Sequence, residues 1–226
     1  MAMNVVHKID RYVRVKNVLI SVSDKRNLDI FIPGLLASNP DIRFYSTGGT
    51  YTAIKEILKE RASDHLIAVS EYTGQPEMQG GLVKTLDFKI YLGILSEPYN
   101  TAHAEDIQRV DAVTMDMVVV NLYPFQETVA NPTVTLEEAR GNIDIGGPCM
   151  VRASAKNFIR VASVVDSTEY EMILREMGAN NGSISFEVRF RLAKKAFAHT
   201  AAYDTAIFTY LDTISAQMAQ ETYELV

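Results

Sequence analysis

Short apolar runs alternate along the chain with stretches whose apolar residues recur at helical spacing. The runs at 17–21, 43–46 and 66–69 are separated by amphipathic stretches at 26–37 and 50–59. Such an alternation predicts consecutive β–α–β units.

Two later runs, at 116–121 and 161–166, are rich in valine and show no alternation of polar and apolar residues. That pattern is typical of parallel strands that helices cover on both faces. The sequence therefore predicts a doubly wound, mainly parallel α/β sheet.

From Phe186 onward the pattern is helical, and the turn-forming residues at 179–183 precede it. We therefore expect one domain with appendages. The expected divisions are an N-terminal extension (1–16), an α/β nucleotide-binding catalytic domain (17–183) and a helical C-terminal cap of the same domain (184–226).

Composition limits the classes of function. The chain has 22 basic and 28 acidic residues, a formal net charge of −6, which disfavours a broad nucleic-acid surface and leaves a local pocket for a small anion. Cys149 is the single cysteine, so no internal disulfide can form, and the four histidines are too scattered for a zinc site. Charges near the start and the lack of a long apolar run argue against a signal peptide and a membrane span, so we expect a cytoplasmic protein.

Candidate chemistry lies directly after the predicted strands, where α/β sheets bind their ligands. Ser-Val-Ser-Asp-Lys at 21–25 follows the first strand, with Asp24 as the expected helix cap, and Ser-Thr-Gly-Gly-Thr at 46–50 follows the second. Each segment alone is an ordinary cap or turn. Together, at the end of neighbouring strands, they favour an anion site.

Three further residues have both a structural and a functional interpretation. Lys84 follows a glycine pair and is either a solvated loop charge or a cation beside the anion. Tyr123 either packs on Pro124 or faces a ligand, and Asp144 either caps a helix or acts in chemistry.

These segments also occur, in the same order, in a known enzyme family. Between residues 17 and 211 the chain resembles the inosine monophosphate (IMP) cyclohydrolase domain of the bifunctional purine-biosynthesis proteins. The motifs that carry the resemblance are Ser-Val-Ser-Asp-Lys, Ser-Thr-Gly-Gly-Thr, Gly-Gly-x-Val-Lys-Thr-Leu, Asn-Leu-Tyr-Pro-Phe, Ile-Asp-Ile-Gly-Gly, Arg-Ala-Ser-Ala-Lys-Asn and Ala-Phe-x-His-Thr-Ala-x-Tyr-Asp.

The resemblance implies a methylglyoxal-synthase-like fold and closure of the purine ring. In that reaction 5-formamidoimidazole-4-carboxamide ribotide (FAICAR) loses water and gives IMP, with no redox, metal or organic cofactor. The implied partners are this substrate and its product, with no nucleic acid and no membrane, and a homodimer and a separate transformylase protein are compatible with it.

The resemblance also assigns site residues. The implied catalytic residues are Lys84, Tyr123, Asp144 and Lys156, and we expect Lys156 to reach back to Asp144 across a Gly-Gly-Pro turn. The implied nucleotide-binding residues are Ser23, Lys25, Thr47, Gly48, Gly49, Thr50, Thr85, Asn121 and Ile145.

This chain departs from the family pattern at several positions. Leu82 replaces an arginine that contributes to nucleotide binding, Asp87 and Phe88 replace His-Pro, and Tyr91 replaces a histidine. The transformylase domain that usually follows is absent from the sequence. Two hypotheses follow: an active cyclohydrolase, or a non-catalytic paralogue that senses purine nucleotides. A methylglyoxal-synthase-like lyase is a third, weaker hypothesis.

Overall fold

The computed structural model describes residues 5–75 and 85–224. Within these ranges the chain forms seven β-strands, twelve α-helices and two 3-10 helices. The strands are β1 (Tyr12–Arg14), β2 (Asn17–Val22), β3 (Arg43–Ser46), β4 (Leu66–Ala68), β5 (Met117–Asn121), β6 (Ala162–Val164) and β7 (Ser183–Ser185).

The helices follow the strands as the β–α–β interpretation predicts. They are α1 (Leu28–Ser38), α2 (Gly48–Leu58), α3 (Ala62–His65), α4 (Val69–Thr73), α5 (Phe88–Leu95), α6 (Thr101–Arg109), α7 (Phe125–Val129), α8 (Leu136–Gly141), α9 (Gly146–Lys156), α10 (Tyr170–Ala179), α11 (Phe186–Asp212) and α12 (Ala216–Glu221). The 3-10 helices span Lys59–Arg61 and Ser167–Glu169.

Five of the strands form one parallel sheet in the order β4-β3-β2-β5-β6. Met117 to Val120 of β5 are all buried because helices cover both faces. Helices α1, α2 and α10 pack on one face, and α5, α9 and α11 pack on the other. The predicted doubly wound, mainly parallel fold is therefore confirmed.

A second, two-stranded antiparallel sheet joins β1 to β7, with Tyr12 opposite Ser185. Residues 12–14 of the expected N-terminal extension thus form a strand, and Ser183, placed in the expected turn, begins the strand that pairs with it. The division into domains stays a prediction.

Arg189 of α11 lies beside this small sheet with 0% of its surface exposed. Its guanidinium donates to the carbonyl oxygens of Ile184 (2.6 Å) and Asp10 (2.7 Å), and to those of Phe158 and Ile159 (both 3.2 Å). Burial lowers the pKa of Arg189 to about 10, so the side chain is still charged at neutral pH. One side chain therefore ties the N-terminal segment to the start of α11.

No helix among the described residues is both long enough and apolar enough to cross a bilayer.

Candidate functional site

A cavity of about 330 Å³ opens at the carboxyl ends of β2, β3 and β5, between the N-termini of α2 and α9. It brings together most of the residues that the sequence marked. The predicted residues that line it are Ser23, Lys25, Thr47, Gly48, Gly49, Thr50, Thr85, Asn121, Tyr123, Asp144 and Ile145.

The N-terminus of α2 forms one side of the cavity. Gly48 has φ +50°, a left-handed conformation that favours glycine. No side chain caps this helix, so its first N–H groups are available to a ligand. The Nζ of Lys25 lies 3.7 Å from where a Cβ on Gly49 would be. Helix N–H groups beside an ammonium form an arrangement suited to a phosphate.

Two predicted nucleotide-binding side chains shape this side of the cavity by hydrogen bonding to the end of β2 and to the loop that follows it. The Oδ1 of Asn121 accepts from the backbone N–H of Ser23 (2.6 Å) and of Asp24 (3.0 Å), and its amide donates to the Asp24 carbonyl (2.9 Å). Thr50 exchanges two 3.0 Å hydrogen bonds with the backbone of Val22. Both side chains therefore hold the loop in place for a ligand.

The expectation that Asp24 caps the first helix is wrong. Helix α1 begins at Leu28, after Asn27 in a left-handed conformation (φ 63°), and no side chain caps it. Asp24 instead accepts from the backbone N–H of Arg26 (3.0 Å) and pairs with its guanidinium, which lowers the pKa of Asp24. The second helix N-terminus at the cavity is therefore that of α9, in place of α1.

Asp144 lies on the α9 side of the cavity. Its Oδ1 accepts from the backbone N–H of Gly147 (2.9 Å), and the backbone N–H of Tyr123 also donates to its carboxylate. Gly147 approaches this carboxylate so closely that a Cβ would collide with it and with the Leu122 side chain. Burial nevertheless raises the pKa of Asp144, since no cation among the described residues offsets the loss of water.

Tyr123 stands at the mouth of the cavity with 50% of its surface exposed. It follows β5 directly and also lines a neighbouring cavity beneath α11. The side chain is therefore accessible to a ligand, which favours the functional interpretation over packing on Pro124.

Lys156 lies away from this cavity. It is the last residue of α9, about 15 Å along the helix axis from Gly146, and its side chain is exposed. Gly146, Gly147 and Pro148 form the first turn of α9 and leave no flexible turn across which Lys156 could fold back. The expected contact between Lys156 and Asp144 is therefore wrong within one chain.

Lys84 and Leu82 lie outside the described residues, so their predicted roles remain predictions. The two neighbouring departures are visible. Asp87 caps α5 by accepting from the backbone N–H of Lys89 (2.8 Å), and Tyr91 of α5 turns a buried hydroxyl toward Cys149 and Asp144. Burial raises the pKa of Tyr91, so this hydroxyl stays protonated.

The residue reasoning assigned no role to Tyr203, although it contacts the site. The hydroxyl of Tyr203 accepts from the backbone N–H of Asp144 (2.9 Å) and donates to the Asn142 carbonyl (3.3 Å). The signal was present, because Tyr203 belongs to the Ala-Phe-x-His-Thr-Ala-x-Tyr-Asp motif. A motif alone does not show which loop such a side chain contacts.

Comparison with known proteins adds two family matches. Residues 35–149 match the model of the MGS-like domain, and residues 154–225 match that of the AICARFT/IMPCHase bienzyme. The first match contains Asp144 and the second contains Tyr203.

Similar proteins include two named "Bifunctional purine biosynthesis protein PurH". That of Bacillus mycoides is 44% identical over 93% of this chain, and that of Ruminiclostridium cellulolyticum is 43% identical over 93%. The chain spans only 39% and 40% of their lengths. A solved structure described as "Crystal structure of ForH" superposes with a TM-score of 0.71 at 29% identity, covering 85% of this chain and 97% of that one.

Proposed function

The chain belongs to the MGS-like domain family and its last third matches the AICARFT/IMPCHase family, and from this premise we propose that it is an IMP cyclohydrolase. Its reaction would close the purine ring of FAICAR with loss of water and so serve purine biosynthesis in the cytoplasm. The small-molecule partners would be FAICAR and IMP, with the formyl group supplied by a separate transformylase activity. A homodimer is compatible with this proposal.

One observation carries the proposal: a desolvated carboxylate and a phosphate-type binding corner share one small cavity. The N-terminus of α2 and Lys25 suit the phosphate of a ribotide. Asp144 lies across the same cavity, where the imidazole ring of the ribotide would be held. A partly buried carboxylate with a raised pKa is suited to accept and return a proton.

The proposed reaction is intramolecular, so positioning accounts for much of the rate. The carboxamide nitrogen attacks the formyl carbon and forms the C–N bond, while the carbonyl electron pair moves to the formyl oxygen. Asp144 takes the proton that the attacking nitrogen loses, and the formyl oxygen is protonated to a hydroxyl. The formamido nitrogen then loses its proton and forms the ring C=N bond, while the hydroxyl takes a second proton and leaves as water. Tyr123 at the mouth can donate a hydrogen bond to that oxygen as its charge develops.

The decisive experiment is incubation of the purified protein with FAICAR while IMP formation is followed by absorbance. Turnover supports the cyclohydrolase. Tight binding of IMP without turnover would favour the nucleotide-sensing alternative, which the replacements at Leu82 and Asp87 support.

Lys25→Ala should weaken IMP binding roughly tenfold or more, because a charge-assisted hydrogen bond to a phosphate contributes about 1.5–3 kcal/mol. Titration calorimetry with IMP measures this change. Lys55→Ala is the matched control, since Lys55 is an exposed lysine in the last turn of α2, away from the cavity. Equal affinities for the two variants would contradict the phosphate position.

Tyr123→Phe should lower kcat more than it raises KM, because the hydroxyl is proposed to act on the transition state. Steady-state kinetics with FAICAR separate the two constants. If kcat is unchanged, Tyr123 has no role in the chemistry and serves only as part of the cavity wall.

A further inference from the structure

Tyr203 links the C-terminal helix to the loop that carries Asp144. It lies in the fifth turn of α11, with 8% of its surface exposed. Its ring packs edge-on against Phe125, with the ring centroids 6.2 Å apart. Phe125 begins α7 two residues after Tyr123, so Tyr203 contacts both segments that bear proposed active-site side chains.

The hydroxyl of Tyr203 is used on both sides. It accepts from the backbone N–H of Asp144 at 2.9 Å and donates to the carbonyl of Asn142 at 3.3 Å. The neighbouring N–H groups of the same loop bond to the end of α8: that of Asn142 to Glu138 and that of Ile143 to Arg140. The loop between α8 and α9 is therefore anchored to α8 on one side and to α11 at Asp144.

We propose that Tyr203 is a positioning residue for Asp144, which keeps the carboxylate in its place at the N-terminus of α9 without touching the substrate. This inference rests on the proposed cyclohydrolase function and extends it to the C-terminal helix. The AICARFT/IMPCHase match, at residues 154–225, thereby supplies a side chain that orders a residue of the MGS-like match, at residues 35–149.

The surroundings of Asp144 explain why a hydrogen bond to its backbone N–H can position its carboxylate. Among the described residues, the hydroxyls of Tyr91 from α5 and Tyr203 from α11 interact with Asp144. Cys149 of α9 also lies beside the Tyr91 hydroxyl, and Asp204 and Tyr123 lie near that of Tyr203. Burial raises the pKa of Tyr203, so its hydroxyl stays protonated and can both donate and accept. Since these neighbours supply no cation, the place of the Asp144 carboxylate depends on backbone hydrogen bonds.

Tyr203→Phe keeps the ring and removes the hydroxyl. We expect kcat for FAICAR to fall roughly 10- to 100-fold, since small displacements of a reacting group cost about this much. KM should change less than threefold, because the phosphate corner belongs to other elements. The acid limb of the kcat/KM profile should move to lower pH, because a looser loop admits water to Asp144.

Tyr210→Phe is the matched control. Tyr210 lies two turns further along α11 and also packs edge-on against Phe125, with the ring centroids 5.9 Å apart. Its hydroxyl makes no hydrogen bond to another described residue. If the Tyr203 hydroxyl merely stabilised the fold, Tyr203→Phe would lower the melting temperature but would not move the acid limb.

Hydrogen exchange at the Asp144 amide, measured by NMR, tests the positioning independently of activity. We expect exchange at least tenfold faster in Tyr203→Phe and unchanged in Tyr210→Phe. If the wild-type protein does not convert FAICAR, the cyclohydrolase proposal fails, while faster exchange still shows that Tyr203 orders the loop. Unchanged exchange, or unchanged kcat in an active enzyme, would overturn the positioning role.

Discussion

Asp144→Asn is expected to lower kcat for FAICAR by about 10²–10⁴-fold, the usual cost of removing a group that transfers protons. Asparagine has the same shape and can still accept the hydrogen bond from the Gly147 N–H, so the helix cap survives. It cannot take up a proton from the attacking nitrogen. Steady-state kinetics and a thermal melt of the same sample measure the two effects.

The pH dependence gives a second readout of the same residue. Asp144 acts as a base only when ionised, and burial raises its pKa. In the wild-type enzyme kcat/KM should therefore fall as the pH drops through a value above that of an ordinary aspartate. The variant should lose this limb.

The ionised form of Asp144 is needed for catalysis, but it is the form that the folded protein disfavours. Because the folded state raises the pKa of this carboxyl, its protonated form favours folding below the unfolded pKa, and that contribution is lost as the pH rises through the folded pKa. Asp144→Asn should thus leave the stability at neutral pH unchanged or slightly higher. Asp106→Asn, at an exposed pair with Arg109 on α6, is the control for kcat. Equal kcat values for the two variants would remove Asp144 from the mechanism.

Arg189→Ala should lower the free energy of unfolding by about 3–5 kcal/mol, as expected when a buried charged group is removed and its partners are left unpaired. Carbonyl oxygens of residues 10, 158, 159 and 184 would lose their donor inside the protein. Urea denaturation measures the change. Limited proteolysis should also cut the N-terminal segment of the variant faster.

Arg191→Ala is the matched control for this prediction. Arg191 lies on the same helix, half-exposed, and pairs with Glu169 at 2.9 Å, an interaction that contributes about 0–1 kcal/mol. Arg189→Lys should lower the free energy of unfolding by an amount between those of Arg189→Ala and Arg191→Ala, because an ammonium keeps the charge but cannot reach all the carbonyl groups. A loss of stability as small as that of Arg191→Ala would mean that the segment is held by other contacts.

The central strands β2 and β5 could be predicted because each is a short apolar run that is largely buried. The meeting of Lys25 and Gly48 in one cavity could be predicted for a related reason: both follow neighbouring parallel strands, and such residues meet at one edge of the sheet. The strands β1 and β7 were missed, since each has three residues and no apolar pattern.

The wrong prediction for Lys156 arose from a segment whose sequence is compatible with two structures. Gly146, Gly147 and Pro148 suggested a turn, yet proline is tolerated in the first turn of a helix, where its missing N–H has no partner to lose. The helix consequently carries Lys156 away from Asp144. Tyr203 could not be assigned because it meets the Asp144 loop from 59 residues further along the chain.

The pairing of β1 with β7 also determines when β1 can fold during synthesis on the ribosome. Tyr12 pairs with Ser185, so β1 has no partner until β7, about 170 residues further along the chain, has been synthesised. At about 5–20 residues per second, this wait lasts roughly 10–30 s. During that time an unpaired strand edge is exposed to other chains, and the carbonyl groups that Arg189 later binds remain in water. Residues 12–14 therefore complete their pairing only after residues 183–185 have been made, although they are synthesised about 170 residues earlier.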